Sequence, residues 1–163
     1  MPDSLCQSIP PVVTLREIHP TDLPEIYEFQ SDPIAIKMAV VFGRTQPEFD
    51  QHWTKIINDP QVIARAIIAE GILVGHVSCF QMDGLDSVGY WIDQSHWGKG
   101  YATKGVQLLL DQVTKRPLHA RVARTNTGSI RVLEKCGFQV ARYETSPDDG
   151  KFPVCEEAIM RLD

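Results

Sequence analysis

The run Trp97-Gly98-Lys99-Gly100-Tyr101-Ala102-Thr103 has the composition of a loop that can hold an anion, and it lies between a predicted strand and a predicted helix. The first backbone N–H groups of a helix lack internal partners, and the helix dipole adds partial positive charge there. Two glycines let a ligand come close to the backbone. The run therefore predicts a cradle for a pyrophosphate group, to which Lys99 and Lys104 could add charge.

Two other phosphate loops fit this run less well. The Walker A loop needs four residues between its first glycine and its Gly-Lys pair, and these are absent. The dinucleotide fingerprint needs a third glycine three residues after Gly100, where this chain has Thr103. A single Gly-x-Gly also occurs in tight turns that bind nothing, so this run alone leaves both interpretations open.

A second polar cluster begins at Asn126, which follows a predicted strand and opens a predicted helix. Asn126 or Thr127 can cap that helix, and Ser129 then lies in its first turn. A polar group early in this helix could contact a ligand that lies between the two strand–helix units. Considered one at a time, Asn126 is explained as a plain cap, Ser129 as an exposed helix residue and Lys135 as a solvated charge near a helix end.

Hydrophobic periodicity predicts the elements that position these residues. Their order is strand, two helices, three strands in a meander, helix, strand, helix and two strands, which indicates one mixed α/β domain over 12–163 after a flexible tail at 1–11. Residues 35–41 fit either a short helix or an extended segment. The predicted strands span 12–18, 62–69, 72–82, 87–93, 118–123, 138–144 and 154–162, with a turn at 146–150 between the last two. The first predicted helix begins after residue 21. The other predicted helices span 45–58, 102–115 and 127–136.

Composition narrows the classes of protein that this chain can belong to. It has 163 residues, of which 43% are hydrophobic, as in a globular domain. Its net charge of -5 argues against nucleic-acid binding. No apolar run approaches the roughly 18 residues of a membrane helix, and the N-terminus does not resemble a secretory signal, so we expect a cytoplasmic protein. The four cysteines are far apart and lack metal-ligand spacing, which predicts reduced thiols and no metal site.

Considered together, these segments closely resemble the GNAT N-acetyltransferase superfamily, in particular the branch that acetylates ribosomal-protein N-termini. The resemblance includes the strand Val88-Gly89-Tyr90-Trp91-Ile92, the run from Trp97 to Thr103 and the stretch from Asn126 to Phe138, in the family's order and spacing. The predicted strand order also matches from about residue 13 to 162. The resemblance implies a mixed, mostly antiparallel central sheet with helices on both faces and one splayed pair of strands.

The resemblance also implies acetyl-CoA as the acyl donor, without a metal. Its pantetheine arm would enter where the strand of Gly89 to Ile92 parts from the strand at 118–123, and would pair with the backbone there. A backbone N–H near Ile92 would polarise the thioester carbonyl, Asn126 would contact the cofactor near the thioester, and Ser129 would protonate the departing thiolate. The implied cofactor-binding residues are Trp91, Ile92, Trp97, Gly98, Lys99, Gly100, Tyr101, Ala102, Thr103, Asn126, Ser129 and Lys135.

Two positions depart from the family pattern. The Gln or Arg that commonly begins the loop is replaced by Ser95, and the branch's Glu two residues before Gly89 is replaced by Ser87. A carboxylate near the acceptor amine is therefore missing, which leaves the general base open. Asp86 adjoins the lost position and is the base we select. The other candidates are an ordered water, His76 (which is more simply a structural strand residue), Glu156 and Glu157.

The expected reaction is direct transfer of an acetyl group to a primary amine, on a protein or peptide N-terminus or on a small molecule. An α-amino group needs little help from a base, since its pKa is near 8. Trp53, Trp91 and Phe42 could line an acceptor pocket, although core packing explains these aromatic residues better. One alternative is a catalytically weak or inactive GNAT-like sensor that binds coenzyme A. Another is a different nucleotide-binding α/β protein. The sequence identifies neither the acceptor nor the oligomeric state, monomer or homodimer.

Overall fold

A computed structural model describes residues 12–146 and 153–163. The predicted tail at 1–11, and all but the first residue of the predicted turn at 146–150, lie outside these residues. Within them, the strands are β1 Val13–Glu17, β2 Ile63–Ala69, β3 Ile72–Met82, β4 Leu85–Ile92, β5 Leu118–Ala123, β6 Gln139–Thr145 and β7 Glu156–Leu162. The helices are α1 Leu23–Ser31, α2 Pro33–Ala39, α3 Gln46–Asn58, α4 Tyr101–Gln112 and α5 Thr127–Lys135.

The strands form one sheet in the order β1-β2-β3-β4-β5-β7-β6. Every neighbouring pair is antiparallel except β4 and β5, which are parallel. The β2–β3 and β3–β4 turns, at Glu70-Gly71 and Asp83-Gly84, have positive φ at both central residues. That conformation favours tight hairpins whose twist matches that of the strands. The predicted mixed, mostly antiparallel sheet is confirmed.

Between β1 and β2 the chain forms three α-helices, so the predicted number of two is wrong. The additional helix, α2, occupies most of the segment whose conformation the sequence left open. It begins after Asp32, whose carboxylate accepts hydrogen bonds from the N–H groups of Ile34 and Ala35. A helix of only two turns gives too few residues for its periodicity to be recognised.

Helices cover both faces of the sheet. On one face, Val106 and Leu109 of α4 pack with Ile67, Val74 and Val77 in the larger hydrophobic core. On the other face, a smaller core contains Ile26 of α1 with Phe49 and Trp53 of α3. Because α1 and α3 lie opposite α4, the central strands are enclosed, and the prediction of helices on both faces is confirmed.

The sheet is incomplete between β4 and β5. β3 pairs with β4 along its whole length, whereas the register between β4 and β5 consists of the single pair Ser87 and His119. On its other edge, β5 is fully paired with β7. The two parallel strands therefore separate beyond Ser87, which confirms the predicted splayed pair and opens the sheet at the C-terminal end of β4.

Candidate active site

A cavity of about 500 Å³ lies at this opening. It is bounded by the end of β4, the turn into α4, the first turns of α5 and residues of α2. Most of the predicted cofactor-binding residues line it: Trp91, Ile92, Trp97, Gly98, Gly100, Tyr101, Ala102, Thr103, Asn126, Ser129 and Lys135. Lys99 lies in the same turn but does not line the cavity, and neither does Asp86.

The turn into α4 presents bare backbone to the cavity. Gly98 and Gly100 have φ values of 76° and 79°, a conformation that side chains disfavour. Apart from the adjoining backbone and chain neighbours, no protein atom lies within 4 Å of the position that a Cβ would take at either glycine. Gly100 is the N-cap of α4 and no side chain caps the helix there. The N–H groups of the first turn are thus available to an anion, and these residues fit a pyrophosphate.

Two tryptophans hold the end of β4 in place. The indole N–H of Trp97 donates to the carbonyl oxygen of Ile92 at 2.9 Å, which ties the glycine turn to the strand. The indole N–H of Trp91 donates to the carbonyl oxygen of Phe29 in α1 at 3.0 Å. These two hydrogen bonds therefore fix the end of β4, which forms part of the cavity wall, to the glycine turn and to α1.

The second polar cluster is organised as a helix cap. The side-chain oxygen of Asn126 accepts a hydrogen bond from the N–H of Ser129 at 3.2 Å, so the predicted cap at Asn126 is confirmed. Both residues also line the cavity. A role for Asn126 in binding the cofactor stays a prediction.

Tyr90 links β4 to α5 across the opening. Its hydroxyl lies 2.6 Å from the Ser129 hydroxyl. Burial is the largest cause that raises the pKa of Tyr90 to about 12, so the phenol stays protonated at neutral pH. Tyr90 can therefore donate to the Ser129 oxygen and leave the Ser129 proton available to a third group. Little in the sequence indicates this pair, because it joins residues that are far apart in the chain.

Asp86 lies away from the cavity, at the start of β4. Tyr90 lies four positions further along the strand, which is roughly 13 Å. Its carboxylate is 3.0 Å from the ammonium of Lys115, and that hydrogen bond is the main cause that lowers the Asp86 pKa. The structure does not bring Asp86 together with Asn126 and Ser129, and it gives no support to Asp86 as a base.

We expect Asp86→Asn to leave kcat/KM for acetyl transfer within about twofold of the wild-type value. The carboxylate is engaged by Lys115 outside the cavity, and surface pairs of this kind contribute little. Steady-state rates from pH 6 to 9 would check this. A fall of tenfold or more, with a changed pH profile, would restore Asp86 as a candidate base.

The other candidate bases also have structural partners. His76 is buried, its Nε2 lies 2.8 Å from Nε2 of Gln30, and its ring packs edge-on against Trp53. Burial is the main cause that lowers the His76 pKa to about 3, so this imidazole is neutral. Glu156 forms an ion pair with Arg124, and Glu157 forms one with Arg121. Among the residues described, no Asp or Glu lines the cavity.

Metal-binding clusters and membrane-spanning helices are two further features that bear on function. Over 12–146 and 153–163, no three His, Cys, Asp or Glu side chains are grouped so that they could hold a metal ion. None of the helices in these two ranges has both the length and the apolar character needed to cross a membrane.

Comparison with known proteins identifies the family. The model of the acetyltransferase (GNAT) domain matches residues 13–139, which is most of the chain. The chain belongs to the GNAT acetyltransferase family. An N-acetyltransferase of Bacillus licheniformis called p20, itself uncharacterized, is 29% identical over 140 residues, which cover 78% of this chain and 79% of that protein. The predicted acyltransferase class is thereby confirmed.

Solved GNAT structures share the fold at low sequence identity. A GNAT acetyltransferase of Bacillus anthracis superposes with a TM-score of 0.76 and 21% identity, over 92% of this chain and 93% of that one. Spermidine N-acetyltransferase of Vibrio cholerae, in complex with coenzyme A and spermine, gives a TM-score of 0.79 and 18% identity, over 92% and 94%. Coenzyme A and spermine are ligands of that protein. The ribosomal-protein branch stays a prediction.

Proposed function

We propose that this GNAT protein is an acetyl-CoA-dependent N-acetyltransferase that acts on a primary amine by direct attack. One observation carries the proposal: the Ser129 hydroxyl, in contact with Tyr90, lies in the same cavity as the bare amides of the α4 turn. A turn that suits an anion and a hydroxyl that could donate a proton thus lie in one opening of the sheet. No nucleophilic side chain is required, because the acetyl group passes directly to the amine.

Acetyl-CoA would supply the activated acetyl group and a thiolate leaving group. The backbone from Gly98 to Thr103 would bind its pyrophosphate, and the exposed edge of β4 would hold the pantetheine arm. Asn126 keeps the first turn of α5 in place through its cap. Most of the rate acceleration would come from alignment within the cavity.

The proton balance uses Ser129 and water. As the C–N bond forms and the C–S bond breaks, Ser129 donates its proton to the sulfur, and solvent restores that proton. Tyr90 donates to the Ser129 oxygen and stabilises the charge that develops there. The attacking nitrogen loses its proton to water. A base of the protein is not needed for an amine that is already partly neutral at pH 7 to 8.

The resemblance to the ribosomal-protein branch favours a peptide N-terminus as the acceptor class, and a small-molecule amine is the other acceptor class we retain. Free thiols at Cys79, Cys136 and Cys155 suit a reducing compartment, and we place the reaction in the cytoplasm. The chain would act as a monomer or a homodimer.

The proposal is tested by incubating the protein with acetyl-CoA and a panel of amines while thiol release is recorded. Thiol release that depends on both the protein and an amine is the expected result. Tight binding of coenzyme A without release would favour the sensor alternative. Stabilisation by ATP or NAD, without stabilisation by coenzyme A, would favour a different nucleotide-binding protein.

We expect Tyr90→Phe to lower kcat about tenfold without changing the Kd for coenzyme A. Phenylalanine keeps the ring that packs against the core but loses the 2.6 Å hydrogen bond to Ser129. Tyr143→Phe is the matched control, because Tyr143 is an exposed residue of β6. An unchanged kcat in Tyr90→Phe would show that Tyr90 does not assist Ser129.

A further inference from the structure

A second cavity lies beside the end of β4. It has a volume of about 70 Å³, and Tyr27 and Gln30 of α1, Phe42 and Arg44 are among the residues that line it. Trp91 lines both this cavity and the larger one. A molecule bound in the small cavity would therefore lie beside the larger cavity, in which acetyl transfer is proposed.

Arg44 gives this small cavity its charge. Within the described residues that line it, Arg44 is the cation, and Asp and Glu are absent. Over the same part of the chain, none of the ion pairs within 4 Å includes Arg44. The charge of Glu48 reaches Arg44 and acts to raise its pKa, but its carboxylate forms no ion pair with Arg44 within 4 Å and instead accepts a hydrogen bond from the Thr45 N–H at 3.1 Å in the cap of α3.

The backbone around Arg44 is held in a defined position. The Tyr27 hydroxyl donates to the Arg44 carbonyl oxygen at 3.3 Å, and the capped start of α3 follows directly. Arg44 is exposed as a residue, yet the surrounding protein removes enough water from its guanidinium to lower its pKa. It stays charged at neutral pH, because arginine does not lose its proton in proteins. A partly desolvated guanidinium binds a carboxylate more strongly than a fully hydrated one.

The wall behind the cavity cannot neutralise a polycation. Gln30 is neutral, and His76, which it contacts, is neutral because of its burial. A linear polyamine in this cavity would meet the guanidinium of Arg44, while Glu48, whose charge reaches Arg44, does not line the cavity, and this is unfavourable.

We propose that the acceptor carries a carboxylate as well as its primary amine, and that Arg44 binds this carboxylate beside Trp91. The inference rests on the proposed acetyltransferase function and narrows it to a class of acceptor. The carboxylate can belong to a free amino acid or to an acidic side chain near the N-terminus of a peptide. In both cases the guanidinium orients the amine toward the larger cavity.

Matched pairs of acceptors test this. Each amino acid is compared with its own amide, and a peptide with an acidic second residue is compared with its amide counterpart. We expect kcat/KM to be at least about tenfold higher for the carboxylates. We expect Arg44→Gln to lower kcat/KM about 10- to 100-fold for the carboxylates and less than about threefold for the amides. The ratio of wild type to variant removes differences in amine basicity within each pair.

The control variant is Arg142→Gln, on the edge strand β6, which should change none of these ratios. If Arg44→Gln lowers kcat/KM for free amino acids alone, the carboxylate that Arg44 binds is the main-chain one. If it lowers kcat/KM for acidic peptides alone, the carboxylate is that of a side chain. The inference would be overturned, while acetyl transfer stands, by any of three results. These are an equal kcat/KM for both members of each pair, a higher kcat/KM for spermidine, or an Arg44→Gln variant whose kcat/KM is unchanged. Absence of thiol release with every amine would instead overturn the proposed function.

Discussion

Replacing Ser129 by alanine should lower kcat for acetyl transfer about 100-fold and leave the Kd for coenzyme A within about twofold. Proton donation to a leaving group contributes on the order of 10² to 10⁴ in rate. The Ser129 hydroxyl acts as the thiolate departs, so its loss should not affect ground-state binding. The fold should persist, because the backbone N–H of residue 129, which Asn126 caps, is retained.

Three measurements separate this role from a structural one. Thermal unfolding should show a native Tm for Ser129→Ala, and calorimetric titration should show native affinity for coenzyme A. The double variant Tyr90→Phe/Ser129→Ala should be no slower than Ser129→Ala alone, because the two hydroxyls act as one unit. A kcat that does not change, or a loss confined to cofactor affinity, would contradict proton donation by Ser129.

Replacing Gly100 by valine should weaken coenzyme A binding about 100-fold or more. The valine side chain would project into open space, since only the adjoining backbone lies within 4 Å of its Cβ, and this is where the pyrophosphate is expected. A positive φ of 79° is also unfavourable for a β-branched residue. Affinity is measured by calorimetric titration with coenzyme A.

Gly84→Val separates these two effects. Gly84 has a φ of 76° and equally open space around its missing side chain, but it lies in the β3–β4 hairpin, away from the cavity. Both variants should lose stability through backbone strain, whereas only Gly100→Val should lose affinity. Equal affinities in the two variants would remove the glycine turn from the cofactor site.

Local sequence signals predicted the strands, the glycine turn and the cap at Asn126, since each depends on a few neighbouring residues. The contact between Tyr90 and Ser129 depends on how β4 and α5 meet in space, and no local pattern encodes that. Asp86 was selected because it adjoins Ser87 in the sequence. Proximity along a strand is misleading here, because the cavity opens at the strand's other end. Arg44 lies in an irregular segment, where periodicity gives no information.

The single pair of residues that joins β4 to β5 has a consequence for the energetics of the whole molecule. Strands β1–β4 and strands β5–β7 form two half-sheets with almost no backbone hydrogen bonds between them. A ligand that pairs with the backbone like a strand would supply the missing hydrogen bonds. Such a ligand at 100 times its Kd would add about 2.7 kcal/mol to the unfolding free energy. The stability of the fold would then rise and fall with the fraction of the protein that holds the ligand. In a cell where this ligand is depleted, the protein would unfold more easily.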